Sequence, residues 1–121
     1  MDREPLGDNP LVISEAEGVR ILRLDRPERR NALSTALLQA VAAALQAAAY
    51  NPACFVAIVT GSHDVFAAGA DIGEIEMLDS DDPVDSSRFL AWQSIRAFPK
   101  PLVAAVEGWC LGAGLELAMA A

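Results

Sequence analysis

The chain has 121 residues, 53% of them hydrophobic, and a formal net charge of -8. That length suits one domain with a modest core, and that composition excludes a disordered chain. The acidic balance argues against nucleic acid as a partner, and MDREPLGDNP, acidic and without an apolar run, is neither a secretory signal nor a transit peptide.

Leu11 to Glu15 and Val19 to Leu24 are strand-like runs around the turn Ala16-Glu17-Gly18. In the second, Val19, Ile21 and Arg23 alternate with Arg20, Leu22 and Leu24. Asp25 to Arg30 is a polar loop that Pro27 should keep from being helical. Ser34 is the expected N-cap of a helix over Thr35 to Ala49, with Leu38, Val41, Leu45 and Ala48 as its inner stripe and Asn51-Pro52 as its stop. Phe55 to Thr60 is continuously apolar up to its final Thr60, the pattern of a strand buried on both faces.

Gly61 to Gly69 reads as a loop. Asp71 followed by Glu74 reads as a capping box that opens a short helix, Ile72 to Met77. Asp79 to Pro83 is a solvated connector. The next helix, Val84 to Phe98, should turn Phe89, Trp92, Ile95 and Ala97 or Phe98 inward, and Pro99-Lys100-Pro101 ends it. Leu102 to Val106 is a second buried strand, and a further helix starts at Ala113. Strands alternating with helices place the chain in the α/β class.

The basic residues are unevenly placed: Arg20, Arg23, Arg26, Arg29 and Arg30 fall within one short stretch, a gathering that suits a phosphate-bearing ligand in an acidic protein. Cys54 and Cys110 lack metal-ligand spacing and read as buried thiols in a reducing compartment, so neither a metal site nor a disulfide is expected. His63 reads as a surface loop residue. The apolar stretch Pro101 to Ala121 is not a membrane span: Glu107 and Glu116 would each cost roughly 2.5–3.5 kcal/mol at mid-bilayer, and its glycines divide it into strand and helix pieces.

Two loops carry chemistry. Phe66-Ala67-Ala68-Gly69-Ala70-Asp71 follows one buried strand, and Gly112-Ala113-Gly114 follows the other. In an open α/β sheet, ligands lie beyond the carboxyl ends of the strands. Small residues leave the backbone bare there, and a helix start behind each loop offers donor N–H groups. Two such donors aimed at one point stabilise a developing oxyanion. The bland alternative is that the small residues serve close packing. Glu116, a carboxylate in an apolar segment, is a candidate proton carrier; its bland alternative is a first-turn acid that complements the helix dipole. Gly112-x-Gly114 is not a dinucleotide motif, because the third glycine position holds Leu117.

Three segments, LDRPERRNAL (Leu24 to Leu33), FAAGADIGEI (Phe66 to Ile75) and KPLVAAVEGWCLGAGLELA (Lys100 to Ala118), resemble the enoyl-CoA hydratase (crotonase) family in order and spacing. Among relatives the chain looks most like the short-chain hydratases of phenylacetate-type degradation. The resemblance implies a spiral of ββα repeats with acyl-CoA bound across it, cytoplasmic and acting in fatty acid metabolism. It implies an oxyanion hole from the N–H groups of Ala70 and Ala113, the family often having Gly at the second position. Ala70, Asp71, Ile72 and Gly73 would line the acyl-CoA. Ala68, Arg30 and Ala32 would contact its nucleotide portion, with the side chains of Arg26, Arg29 and Arg30 as phosphate partners. Glu116 matches the first of the family's two catalytic glutamates, which together add water across the 2,3 double bond.

No cofactor is implied, because coenzyme A is part of the substrate, and no metal, nucleic acid or membrane. A full-length relative would be a homo-oligomer, a trimer or a dimer of trimers. The second glutamate belongs to the next strand–turn unit, past Ala121, so residues 1–121 read as the N-terminal part of a single acyl-CoA-binding domain, truncated or a fragment. Isomerisation or another reaction of the same family, and a catalytically inactive remnant, are the alternatives to hydration.

Overall fold

A computed structural model describes residues 11–76 and 83–121. The expected connector Asp79 to Pro83 falls almost wholly outside the described residues, as does the N-terminal decapeptide. The elements are β1 (Leu11–Ala16), β2 (Val19–Leu24), α1 (Thr35–Tyr50), β3 (Val56–Thr60), β4 (Val65–Ala67), α2 (Ile72–Glu76), α3 (Pro83–Arg96), β5 (Leu102–Ala105), β6 (Trp109–Cys110) and α4 (Ala113–Met119).

Four strands make the main sheet in the order β1-β2-β3-β5. β1 and β2 are an antiparallel hairpin; β2, β3 and β5 run parallel, with α1 and α3 as the crossovers between them. Register aligns Ile13, Leu22, Val59 and Ala104 in one row across the sheet. Because side chains alternate between faces, this row and its neighbours Leu24, Ala57 and Leu102 share one face, and that face carries the core with α1. Among the described residues, only this face is covered. Along β3, fully buried residues alternate with partly exposed ones, and along β5 every second residue is exposed. Both strands were expected to be buried on two faces. Both crossover helices belong to one side, so the apolar residues of the other side stay half open.

The polar loop after β2 also departs from expectation. Pro27–Arg29 form a single 3₁₀ turn with Pro at its start, where its missing N–H has no cost and its fixed φ helps. α1 begins at the expected N-cap: the Ser34 hydroxyl accepts a hydrogen bond from the Leu37 N–H at 3.1 Å. Its inner stripe, Leu38, Val41, Leu45 and Ala48, is buried.

α3 is rotated relative to expectation. Arg88, Ala91, Trp92 and Ile95 form its inward stripe, and Phe89 is 60% exposed. Arg88 is buried on this stripe, its guanidinium donating to the Leu33 carbonyl at 2.8 Å. Two short strands, β4 and β6, pair in parallel as a separate small sheet under α4. β4 falls inside the segment read as a loop.

Lys100 ties the end of α1 to the following turn. Its ammonium donates to the carbonyls of Ala48, Asn51 and Cys54 at 2.7, 2.8 and 2.7 Å. The Ala48 and Asn51 carbonyls also accept the backbone N–H groups of Asn51 and Cys54, and a cation at a helix C-terminus complements the dipole. Lys100→Met should therefore destabilise the chain by about 1–3 kcal/mol, seen as a lower urea midpoint with an unchanged m-value. Wild-type stability in that variant would exclude the cap.

Candidate active site

The second small-residue loop approaches the first because β4 and β6 pair just before them. The Leu111 N–H donates to the Ala67 carbonyl at 3.1 Å, and α4 then opens at Gly112. Gly112 has φ 53°, in the left-handed region, which turns the chain sharply into α4. A Cβ on Gly112 would lie 3.7 Å from the Gly69 Cα, so the two corners touch. Gly114 has a different role. Its own N–H is spent on the Leu111 carbonyl, and a Cβ there would fall 2.2 Å from the Ala67 carbonyl oxygen. It is glycine for packing, so for this residue the bland reading holds.

The amides of Ala70 and Ala113 differ from their neighbours. Leu33 and Ala70 form an isolated parallel bridge, in which the Leu33 N–H donates to Gly69 and the Asp71 N–H donates to Leu33. Extended backbone alternates direction, so the Ala70 N–H points away from Leu33. Ala113 is the first residue of α4, where the N–H has no helical acceptor. Among the described residues, neither N–H has an acceptor. Both residues are partly exposed, as a ligand requires.

Glu116 lies one turn into α4, its N–H bonded to the Gly112 carbonyl at 3.0 Å. Residues three and four apart share a helix face, and side chains lean toward the N-terminus, so Glu116 projects over the Gly112–Ala113 corner. It is exposed, with Leu115 and Met119 beside it. The carboxylate is thus not desolvated, contrary to what the apolar sequence suggested: among the described residues nothing covers it.

The arginines divide by task. Arg20 donates to the Ala44 carbonyl at 3.0 Å and pairs with Glu15; Arg23 donates to the Gly61 carbonyl at 2.7 Å. Arg26 reaches the Ala32 carbonyl at 2.8 Å and the Asp71 carboxylate at 2.9 Å. These three secure the fold, so the expected pairing of Arg26 with a ligand phosphate gives way to an internal ion pair. Arg29 and Arg30 remain exposed. Arg30 lines a cavity of about 240 Å³ with Val65, Ala68, Trp109 and Leu111. Ala32 is partly buried, its carbonyl taken by Arg26, while Ile72 and Gly73 are exposed at the start of α2.

Several residues that shape the site carry no sequence signal strong enough to find them. Asn31 is 1% exposed with φ 57°, and its amide donates to the carbonyls of Val65 and Phe66 while its oxygen accepts from the Arg26 N–H. Asn tolerates this left-handed backbone better than most residues. Glu74 completes only part of the capping box. Its N–H donates to Asp71 Oδ1 at 3.2 Å, but its carboxylate crosses to the N-terminus of α1, accepting from the Thr35 N–H at 2.9 Å and from the Thr35 hydroxyl. His63 is exposed as expected, 3.4 Å from Glu107. Cys54 is buried; Cys110 is half-buried, and that burial raises its thiol pKa, which keeps it protonated. Among the described residues no cluster could hold a metal ion, and no helix is long and apolar enough to cross a membrane.

The hydrogen bond from Arg26 holds the Asp71 carboxyl below its ordinary value of 3.8; burial opposes this, and the Glu74 N–H and the charges of Arg26 and Arg29 add to the lowering. A depressed carboxyl stabilises the fold fully above its unfolded pKa, and that contribution fades as pH falls through the folded pKa. Asp71→Asn should thus lower stability near neutrality, with the gap to wild type closing below pH 3.8. Urea midpoints measured against pH test this; a gap constant to strong acid would contradict it.

The enoyl-CoA hydratase/isomerase family profile matches residues 14–121. The chain is 43% identical over 109 residues to 2,3-dehydroadipyl-CoA hydratase of Escherichia coli (strain K12), covering 90% of this chain and 43% of that protein. It is 37% identical over 112 residues to the mitochondrial enoyl-CoA hydratase of Pongo abelii, covering 89% of this chain and 39% of that one. An enoyl-CoA hydratase/carnithine racemase structure from Magnetospirillum magneticum superposes with a TM-score of 0.82 at 31% identity, over 93% of this chain and 44% of that chain. The chain thus spans under half the length of these relatives and shares their crotonase fold over that span. It belongs to the enoyl-CoA hydratase/isomerase family.

Proposed function

We propose that the chain carries the acyl-CoA-binding and oxyanion-stabilising part of an enoyl-CoA hydratase. The observation that carries this reading is the contact of the Gly69 and Gly112 corners, which brings two acceptor-free amides, Ala70 and Ala113, to one edge of the fold. A thioester oxygen seated between them would accept both N–H groups. Hydration of a trans-2-enoyl thioester adds water oxygen to C3 and a proton to C2, and charge accumulates on the thioester oxygen as enolate. Donors already in place stabilise that charge without reorganisation, and one donor is worth about 2.7–4 kcal/mol of barrier. Glu116 holds the water and accepts its proton.

The exposed Arg29 and Arg30 face the ligand's phosphates, with Ala68 and Ala32 alongside the nucleotide. Asp71, Ile72 and Gly73 continue from the Ala70 corner along the acyl-CoA, Asp71 through its backbone. The substrate class is an enoyl-CoA thioester, the location cytoplasmic, and the complete protein a homo-oligomer; no cofactor beyond the substrate's own coenzyme A takes part. The names of the relatives, hydratases of enoyl-CoA and of 2,3-dehydroadipyl-CoA, support water addition over the family's other reactions.

Crotonyl-CoA hydration, followed as loss of enoyl absorbance, tests the reading. Glu116→Gln should lower kcat by about 10²–10⁴-fold while leaving CoA binding nearly intact. Ala113→Pro removes one donor at a position where helices accept proline and should lower kcat about 10²–10³-fold in a folded protein. In the protein completed through the second glutamate, unchanged turnover of Glu116→Gln would remove the acid from the reading, and full activity of Ala113→Pro would remove that donor from it.

A further inference from the structure

We propose that Arg26 and Asp71 act as a positioning clamp that sets the direction of the Ala70 amide; the inference rests on the reading of that amide as a thioester-oxygen donor. Ala70 is flanked by two unequal backbone bonds. On one side the Leu33 N–H meets the Gly69 carbonyl at 2.7 Å; on the other the Asp71 N–H meets the Leu33 carbonyl at 3.4 Å. The second lies at the limit of a hydrogen bond and restrains residue 71 weakly. The Asp71 side chain supplies what that bond lacks. Its Oδ2 accepts from the Arg26 guanidinium at 2.9 Å and its Oδ1 accepts from the Glu74 N–H at 3.2 Å, so the carboxylate is held at both oxygens.

Arg26 is fixed in turn. Its other terminal nitrogen donates to the Ala32 carbonyl at 2.8 Å and its backbone N–H donates to the Asn31 side chain at 2.7 Å. The pair is shielded, with 16% and 17% of the two side chains exposed, so the attraction is screened less than at the surface. A planar guanidinium holds Ala32 and Asp71 in different directions at once, whereas one ammonium cannot match that fork. The clamp therefore joins the loop that bears Arg30 and Ala32 to the peptide that bears the donor N–H. Small misplacement of a catalytic group costs rate out of proportion to its distance.

Two variants separate the clamp from ordinary scaffolding. Arg26→Lys keeps the charge and loses the fork; Asp71→Asn keeps a helix-capping oxygen and loses the ion pair. In amide-resolved NMR of the 121-residue chain, both variants should shift the Ala70 resonance and lower its order parameter, with Ala113 and the β2–β3 amides unchanged. An unmoved Ala70 resonance in Arg26→Lys overturns the clamp. In crotonyl-CoA hydration, both should lower kcat on the order of 10- to 100-fold with KM nearly constant; a raised KM at constant kcat would reduce the pair to a strut and overturn the proposal. The kinetic arm is read in the protein completed through the second glutamate; in the 121-residue chain the NMR result decides the clamp by itself.

Discussion

The site depends on one constraint: two irregular segments, residues 26–35 and 67–74, must be held together without a sheet between them. Only one isolated bridge, Leu33 with Ala70, joins them in strand fashion. One further backbone bond, from the Ala68 N–H to the Arg30 carbonyl at 3.1 Å, and polar side chains do the rest. Asn31 reaches across to β4, Arg26 to Asp71, Glu74 to the first turn of α1, and Arg88 to the Leu33 carbonyl. Each leaves a buried or half-buried polar group unsatisfied if removed, at about 1–3 kcal/mol and more where charged. Such a network fixes geometry better than an apolar contact would, because hydrogen bonds are directional and a slipped partner counts as an unmade one.

The packing around the corners follows from that rigidity. α4 can sit on β4 only because Gly114 brings no side chain to the Ala67 carbonyl. Leu117, fully buried, then anchors the helix in the same core as Phe66 and Ile95. The start of α4 is therefore held at close quarters on its inner side and bare on its outer side. Small residues serve both ends: at Gly114 they admit a neighbouring backbone, and at Ala70 and Ala113 they leave a backbone uncovered. A single bland account of the small-residue loops would have missed that division.

Much of this was legible in the residues, and the remainder was hidden for definable reasons. The Ser34 cap, the stripe of α1 and the β1–β2 hairpin follow from local pattern, where neighbours in sequence decide the outcome. The bare corners are legible because Gly and Ala leave few alternatives for a strand-to-helix turn. Arg88 was not, because a charged residue is read as outward unless its distant partner, the Leu33 carbonyl, is known. Arg26 resembled a ligand cation for the same reason: Asp71 lies 45 residues away along the chain. β4 and β6 escaped notice because strands of three and two residues carry too short an alternation to detect.

The proposed role of Glu116, one turn after the amide of Ala113, raises an electrostatic question. A carboxylate and an enolate oxygen at close range would repel strongly in a site with little water. In the proposed hydration the two charges need not coexist. Were Glu116 to accept the proton of the attacking water, it would become neutral, and the negative charge would pass through the new C3–O bond and the double bond onto the thioester oxygen. One unit of charge would then move across the first turn of α4, from a side chain on that turn toward the amide that opens it. The donors would stabilise the charge only after it had left the carboxylate. A helix start with a bare first residue and an acid one turn later, Ala113 and Glu116, would hold both stations on one rigid element.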